Sequence, residues 1–333
     1  MDVRRAQPLR RPGRASTRAV VAASALGLVL GLVAAVPARA ESGSTGGTTP
    51  GGTTTTPIAP PPASKPKSAI TATASPYQGA VMGIAQPIFV RFSSPVAFKA
   101  RAEKNMRVYV SGVLSSGAWH WKDSQTAVFR PQTFWKSRST IAIKMTMKGV
   151  VLAESSSRQF VGATTKVHWF KTSRSFVAKV DDATHRMKVY LDGKLVRTIP
   201  VSLGKPGFET RSGVKVVQEK YATRRMTSVG AGITDPNDQY DVTATWAVRI
   251  TPTGEFVHGA AWAAGRIGRY DGSHGCTNVL DVDGKWFYDR VLPGDPVVTV
   301  GTGRAMEYWN GPGGPWNMPW KFWLGKSATG PQR

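Results

Sequence analysis

Apolar and polar residues alternate with a period of two along most of the chain beyond residue 69, the pattern of half-buried strands. Residues 88–92 (IFVRF) and 108–110 (VYV) alternate strictly. Residues 119–121 (WHW) and 126–130 (TAVFR) flank a turn at Lys122-Asp123-Ser124, and 141–147 (IAIKMTM) continues the pattern. Short strands at this spacing predict an immunoglobulin-like β-sandwich over 69–165. It lacks an inter-sheet cysteine pair, so packing alone must hold it. His120 is expected at a strand surface rather than as a ligand. No catalytic constellation stands here, and the segment reads as a spacer or docking domain.

A second β-rich unit is expected over 171–302. Phe176, Ala178 and Val180 alternate, 181–184 turns, and 187–191 returns; Asp192-Gly193 is a two-residue hairpin turn leading into 194–202. Further strands are expected at 213–217, 242–250, 256–257 and 296–300. Residues 283–292 have helical apolar spacing and stop before Pro293-Gly294. The tail 303–333 places Trp309, Trp316, Trp320 and Trp323 in a Gly/Pro-rich stretch. Four tryptophans at a terminus are expected to pack, here onto the preceding unit. The fold class is therefore mainly β: a sandwich, a second β-rich domain with a short helix, and a Trp-rich C-terminal extension.

The N-terminal stretch breaks this pattern. Arginines 4, 5, 10, 11, 14 and 18 precede a charge-free apolar run at 19–36, and Pro37-Ala-Arg-Ala40 supplies a small-x-small cleavage site. This reads as an export signal over 1–40, with membrane contact only through that segment if it stays uncleaved. Residues 41–68, rich in Gly, Thr and Pro, have too little to bury to offset their ordering entropy and are expected to be a disordered tether. The formal charge is +24, and the seven arginines and one aspartate of the first forty residues leave +18 on the rest. In an exported chain that charge suits anionic cell-wall polymers; the basic residues are scattered rather than striped, which argues against nucleic acid. A monomer at the outer face of the cytoplasmic membrane or in the wall space is expected.

Cys276 is the single cysteine, in Ser273-His274-Gly275-Cys276. A lone cysteine in an exported chain has no internal disulfide partner and is a candidate free thiol. His258 lies eighteen residues upstream. A thiol, a histidine that takes and returns its proton, and backbone N–H groups of Gly275 and Cys276 are the parts of a thiol acyl-transfer site. If 274–276 is extended, His274 and Cys276 share a face. A zinc site of His258, His274 and Cys276, with Asp271 in support, is the competing reading.

His258-Gly259, a gap containing Trp262, then Ser273-His-Gly-Cys-Thr-Asn278 resembles the active-site signature of the L,D-transpeptidases (YkuD family). Residues 189–213 resemble that domain's opening strands, Gly294-Asp-Pro-Val297 its closing strand, and Trp316-Asn-Met-Pro-Trp-Lys-Phe-Trp323 the extension of actinobacterial members, which also carry preceding immunoglobulin-like domains. The resemblance implies attack by Cys276 on the third residue of a peptidoglycan stem tetrapeptide, loss of the terminal D-alanine, and transfer to a neighbouring stem amine as a 3→3 cross-link. His258 becomes the general base, Gly275 and Cys276 the oxyanion donors, and His274 a residue shaping their loop. Tyr240, Asn278, Ser273, Gly259 and Trp262 become substrate-binding or loop-ordering residues. No metal or cofactor is implied, and carbapenems are expected to acylate the thiol. Actinobacterial relatives often carry serine where this chain has Gly259, which is expected to leave that loop freer. Water as acceptor would make the enzyme a carboxypeptidase or endopeptidase, and a non-catalytic wall-binding protein is the remaining alternative.

Overall fold

The computed structural model describes residues 64–332, where the alternating stretches pair into five sheets. The segments read as an export signal, 1–40, and as a tether, up to residue 63, lie outside the described residues. The fold is mainly β, an immunoglobulin-like sandwich followed by a second β-rich domain.

In the first domain a four-stranded antiparallel sheet runs in the order Ala72–Ser75, Ile88–Phe92, Thr126–Arg130, Ala118–Trp121. A five-stranded sheet, ordered Val81–Met82, Thr165–Thr172, Thr140–Thr146, Met106–Val110, Val113–Leu114, completes the sandwich. Alternate residues from both, among them Val90, Phe92, Phe129, Ile141, Ile143 and Phe170, fill one core. The strand Lys67–Ile70 pairs in parallel with Gln159–Gly162 and so takes Lys67 and Ser68 from the segment read as tether. The strand Thr165–Thr172 pairs with Thr140–Thr146 along seven residues, so the sandwich extends past 165 and only 173–175 separate it from the next strand, Phe176–Asp181.

The second domain sets a six-stranded sheet against a four-stranded one. The first is ordered Lys194–Pro200, Arg186–Leu191, Phe176–Asp181, Pro296–Val300, Arg211–Val216, Arg304–Ala305; the second Glu219–Thr227, Asp241–Arg249, Phe256–Gly259, Thr277–Val279. Val180, Val189, Ile199 and Val297 meet Val248, Val257, Val279 and Phe287 of the helix Asp281–Arg290 in their shared core. The strand Glu219–Thr227 was not expected from the sequence. Its residues EKYATRRMT are exposed or half-buried throughout, so no alternation marks it.

The extension departs from expectation. Asn317 holds it to the second domain, accepting from Val214 N at 2.7 Å, while Trp309 and Trp316 already reach the immunoglobulin-like domain, at His120 and at the Ala85 carbonyl. Its second half packs on the immunoglobulin-like domain: Trp323 is fully buried, donates its indole N–H to the Ala118 carbonyl at 3.0 Å, and joins Met318, Ala118 and Val128 in a separate core. Arg130 explains the attachment. Its guanidinium lies 5.1, 5.1 and 4.6 Å from the ring centres of Trp316, Trp320 and Trp323 and donates to the Met318 carbonyl at 2.9 Å. Burial lowers its pKa to about 10, leaving it charged at neutral pH. His120 is consequently not a surface residue. Trp323 stacks on it at 4.5 Å, its Nδ1 lies 3.1 Å from the Trp323 carbonyl, and burial lowers its pKa. Buried Glu103 fastens the end of the tail, accepting from Ala328 N at 2.8 Å and Thr329 Oγ1 at 2.7 Å.

The two domains also touch backbone to backbone. Gly83 N donates to Pro293 O at 2.7 Å and Ala85 N to Gly294 O at 2.9 Å. A Cβ at Gly83 would fall 2.1 Å from Asp295 N. Asp295, its carboxyl pushed up to about 6 by burial despite its partner, pairs with Arg174 at 2.8 Å. Trp323→Ala is expected to lower unfolding free energy by about 3–5 kcal/mol, read from denaturant midpoints at unchanged slope.

Candidate active site

The four-stranded sheet of the second domain turns one face to the domain core and the other away from it. In the parallel pair of Phe256–Gly259 with Thr277–Val279, Val257 faces Thr277, His258 faces Asn278 and Gly259 faces Val279. Val257 and Val279 enter the domain core. Side chains alternate, so His258 and Asn278 must take the opposite face. Cys276, two positions before Asn278, joins that face and packs with Phe256, Ala244 and Ala247. The eighteen-residue separation of His258 and Cys276 is thus closed to a diagonal neighbour across one strand pair.

His258 is buried, with Nδ1 2.9 Å from the Gly259 carbonyl. A carbonyl only accepts, so the proton sits on Nδ1 and Nε2 is free to act as a base. Burial lowers the imidazole pKa, against the opposing effect of that carbonyl, and keeps the ring neutral at pH 7. Trp262, half exposed, stacks on it at 5.9 Å. Burial pushes the Cys276 thiol up to about 12, and its hydrogen bond in this resting state runs to the Gly254 carbonyl at 3.7 Å. The resting pair is therefore thiol and neutral imidazole.

The stretch 274–276 is not extended. It bends at Gly275, whose φ is 115°, and carries His274 off to Tyr240 and Phe208, each 4.8 Å away between ring centres. His274 Nε2 lies 3.6 Å from Asp238, which also pairs with Lys205. Burial and Lys205 lower the His274 pKa. Ser273 braces the bend: its Oγ accepts from Gly275 N at 3.0 Å and donates to the Cys276 carbonyl at 2.7 Å. This corrects one expectation, because the Gly275 N–H is engaged by Ser273 instead of pointing at a substrate. Beyond Tyr240 opens a cavity of about 570 Å³ lined by Arg225, Thr227, Ser228, Val229, Gln239 and Asp241.

Gly259 is not loose either. A Cβ there would lie 2.3 Å from Thr245 Oγ1 and 2.5 Å from Asp281 Oδ1, which hydrogen-bond each other at 3.0 Å. That pair fills the space a serine would need. The zinc reading fares poorly on geometry. Among the described residues the group of three side chains whose ligand atoms come within 4.8 Å is Asp182, His185 and Asp271, and His258, His274 and Cys276 form no such group. Asp271 pairs with His185 at 3.3 Å and accepts from Leu203 N at 2.8 Å, bracing the loop before the motif. Sequence reasoning missed Phe208, Asp238 and Lys205 around His274, and Arg211, Lys215 and Glu255 beneath Cys276. A signal existed for the last two: single opposite charges inside the apolar strand runs at 213–217 and 254–257.

Comparison with known proteins meets this geometry. The L,D-transpeptidase catalytic domain (YkuD) matches residues 175–299 and a bacterial Ig domain matches 48–151. Fold and sequence thus define an L,D-transpeptidase catalytic domain behind an immunoglobulin-like one. The chain is 32% identical to L,D-transpeptidase 2 of Mycobacterium tuberculosis over 268 residues, covering 80% of this chain and 64% of that relative. It is 30% identical to L,D-transpeptidase 1 of the same species, covering 69% of this chain and 84% of the other. The solved structure of the LD transpeptidase LdtMt1 in complex with imipenem superposes with a TM-score of 0.59 at 29% identity, over 68% of this chain and 97% of that one. The chain belongs to the L,D-transpeptidase (YkuD) family. It spans less than two thirds of the first of these relatives.

Gly259→Ser should displace Thr245 or Asp281 and turn His258, so that its thermal midpoint falls. Pairing it with Thr245→Ala should recover part of that loss. A single variant as stable as the parent, by calorimetry, would contradict the packing.

Proposed function

We propose that the chain is a peptidoglycan L,D-transpeptidase acting through an acyl-enzyme on Cys276. The observation that carries this reading is that His258 and Cys276 share the face of adjacent strands turned away from the domain core, within a domain of this family. His258 Nε2 takes the thiol proton as sulfur attacks the carbonyl of the third stem residue. The Cys276 N–H is assigned to the developing oxyanion. Collapse expels the D-alanine amine, which receives the proton from His258, and leaves a thioester. A side-chain amine of a neighbouring stem then gives its proton to His258 and attacks, forming a 3→3 amide and restoring the thiol.

A thiol pushed up to about 12 beside a neutral imidazole favours proton transfer concerted with attack over a standing thiolate. Asn278 Oδ1, buried and without a hydrogen-bond partner among the described residues, suits an acceptor for a stem-peptide N–H. Tyr240 keeps its proton, since burial and the nearby Cys276 raise its pKa; it packs on His274 as Trp262 does on His258, and both are assigned to contact the stem peptide. Ser273 and Gly275 order the loop rather than touch substrate. Arg224, Arg225, Arg266 and Arg269 are exposed near this region and favour approach of anionic stem peptides. Among the described residues no helix is long and apolar enough to cross a membrane. We place the working protein outside the cytoplasmic membrane on the strength of the export signal in its sequence.

Cys276→Ala should abolish D-alanine release from a stem tetrapeptide and remove the carbapenem adduct seen by intact mass. Retention of either would exclude the cysteine mechanism. D-alanine release without cross-linked product would assign water as acceptor. The rate of carbapenem acylation should fall on acidification as His258 gains a proton. Because burial depresses that pKa, the half-point should lie below the ordinary histidine value of about 6.5.

A further inference from the structure

Behind the thiol lies a set of charges that the acyl-transfer steps do not use. Lys215 is fully buried in the strand Arg211–Val216, where an unpaired ammonium would be strongly disfavoured. Its Nζ lies 2.9 Å from Glu255 Oε2 and donates to Thr299 Oγ1 at 3.3 Å. Glu255 is buried as well and accepts from the Arg211 backbone N and guanidinium, each at 3.0 Å. Arg211 Nε then donates to Glu307 Oε2 at 2.6 Å. Glu307 stands half exposed in the C-terminal extension, with Asn310 at 2.8 Å and Arg304 at 3.3 Å as its other partners. Burial opposes its charge, yet Arg211 and Asn310 hold its carboxyl down at about 2. A line of alternating charge therefore runs from the surface of the extension into the interior.

The inner end of this line meets the nucleophile. Glu255 closes the turn 251–255, with its N donating to Thr251 Oγ1 at 2.9 Å. The residue before it supplies the carbonyl that receives the Cys276 thiol. A Cβ on Gly275 would lie 4.0 Å from Glu255 Cγ, so the same side chain backs the bend of the catalytic loop. Buried ion pairs are often no more stabilising than apolar side chains of equal volume, so stability alone does not account for this one.

We infer that Glu255 is a positioning residue for Cys276 and that Glu307 of the C-terminal extension fixes it there through Arg211. The inference rests on Cys276 being the nucleophile, as proposed above. The charged and titratable groups around the thiol are Glu255 from the turn, Lys215 from the strand Arg211–Val216, Arg249 from Asp241–Arg249, Tyr240 from its loop, and His258. Removing the charge of Glu307 leaves Arg211 uncompensated at its outer end. The field behind the thiol becomes more positive, and the turn that aims the thiol becomes looser. The first change makes the thiolate easier to form; the second slows reaction with a substrate that must be met in a fixed geometry.

The test uses the full chain with Glu307→Gln, a surface substitution, and Arg211→Lys as a second variant that cannot bridge both carboxylates. Alkylation of Cys276 by iodoacetamide is followed across pH by mass spectrometry, beside the rate of acylation by imipenem. In Glu307→Gln the alkylation midpoint should move down by about half a pH unit, roughly threefold faster alkylation below the midpoint, while acylation slows about tenfold. Glu307→Asp, which keeps the charge, should restore the parent alkylation midpoint. Midpoints in Glu307→Gln and Arg211→Lys that coincide with the parent would overturn the inference. Iodoacetamide reads the thiol without any transfer chemistry. Failure of the wild type to release D-alanine would therefore sink the proposed function and leave this comparison readable.

Discussion

The parallel pairing of Phe256–Gly259 with Thr277–Val279 is the constraint on which the rest of the site depends. Register in a sheet assigns every side chain to a face, and one residue of slip would exchange the faces. Here Val257 and Val279 are committed to the core, so a slip of register would turn both valines out of it and drive His258 and Cys276 into their place. The excursion between the strands is tied down elsewhere: Ser202 bridges to Asn278, Gly204 to Ser273, and Asp271 is held by His185 and Leu203. The loop that carries Cys276 thus inherits its position from hydrophobic packing and holds it through hydrogen bonds.

Burial acts on the Cys276 thiol and the His258 imidazole in opposite directions. It raises the thiol and lowers the imidazole, so both resist the ionised form. Under the proposed mechanism such a pair is quiet towards adventitious electrophiles and reacts when a bound carbonyl accepts charge as the proton moves. Lys215 and Glu255 set the local potential beneath it.

Much of this was legible in the sequence, for reasons that differ by element. Strands such as Ile88–Phe92 and Phe176–Asp181 announce themselves because one face is wet and the other dry. Glu219–Thr227 does not, because neither face is fully buried. His258 and Cys276 were found through residue type and motif, whereas their adjacency needed the strand register. His120 was misplaced because its environment comes from Trp323, about two hundred residues away, and no local pattern reports that contact. The extension was assigned to one neighbour when Arg130 draws half of it to the other. Gly259 looked permissive until Thr245 and Asp281 were seen to occupy the missing side chain's place.

The junction at Gly83 and Gly294 leaves no room for even a methyl group, and the extension spans both domains with Arg130 clasped at one end and Asn317 at the other. A joint sealed in this way transmits orientation. Whatever surface the immunoglobulin-like domain settles against, the direction in which Cys276 faces is settled with it.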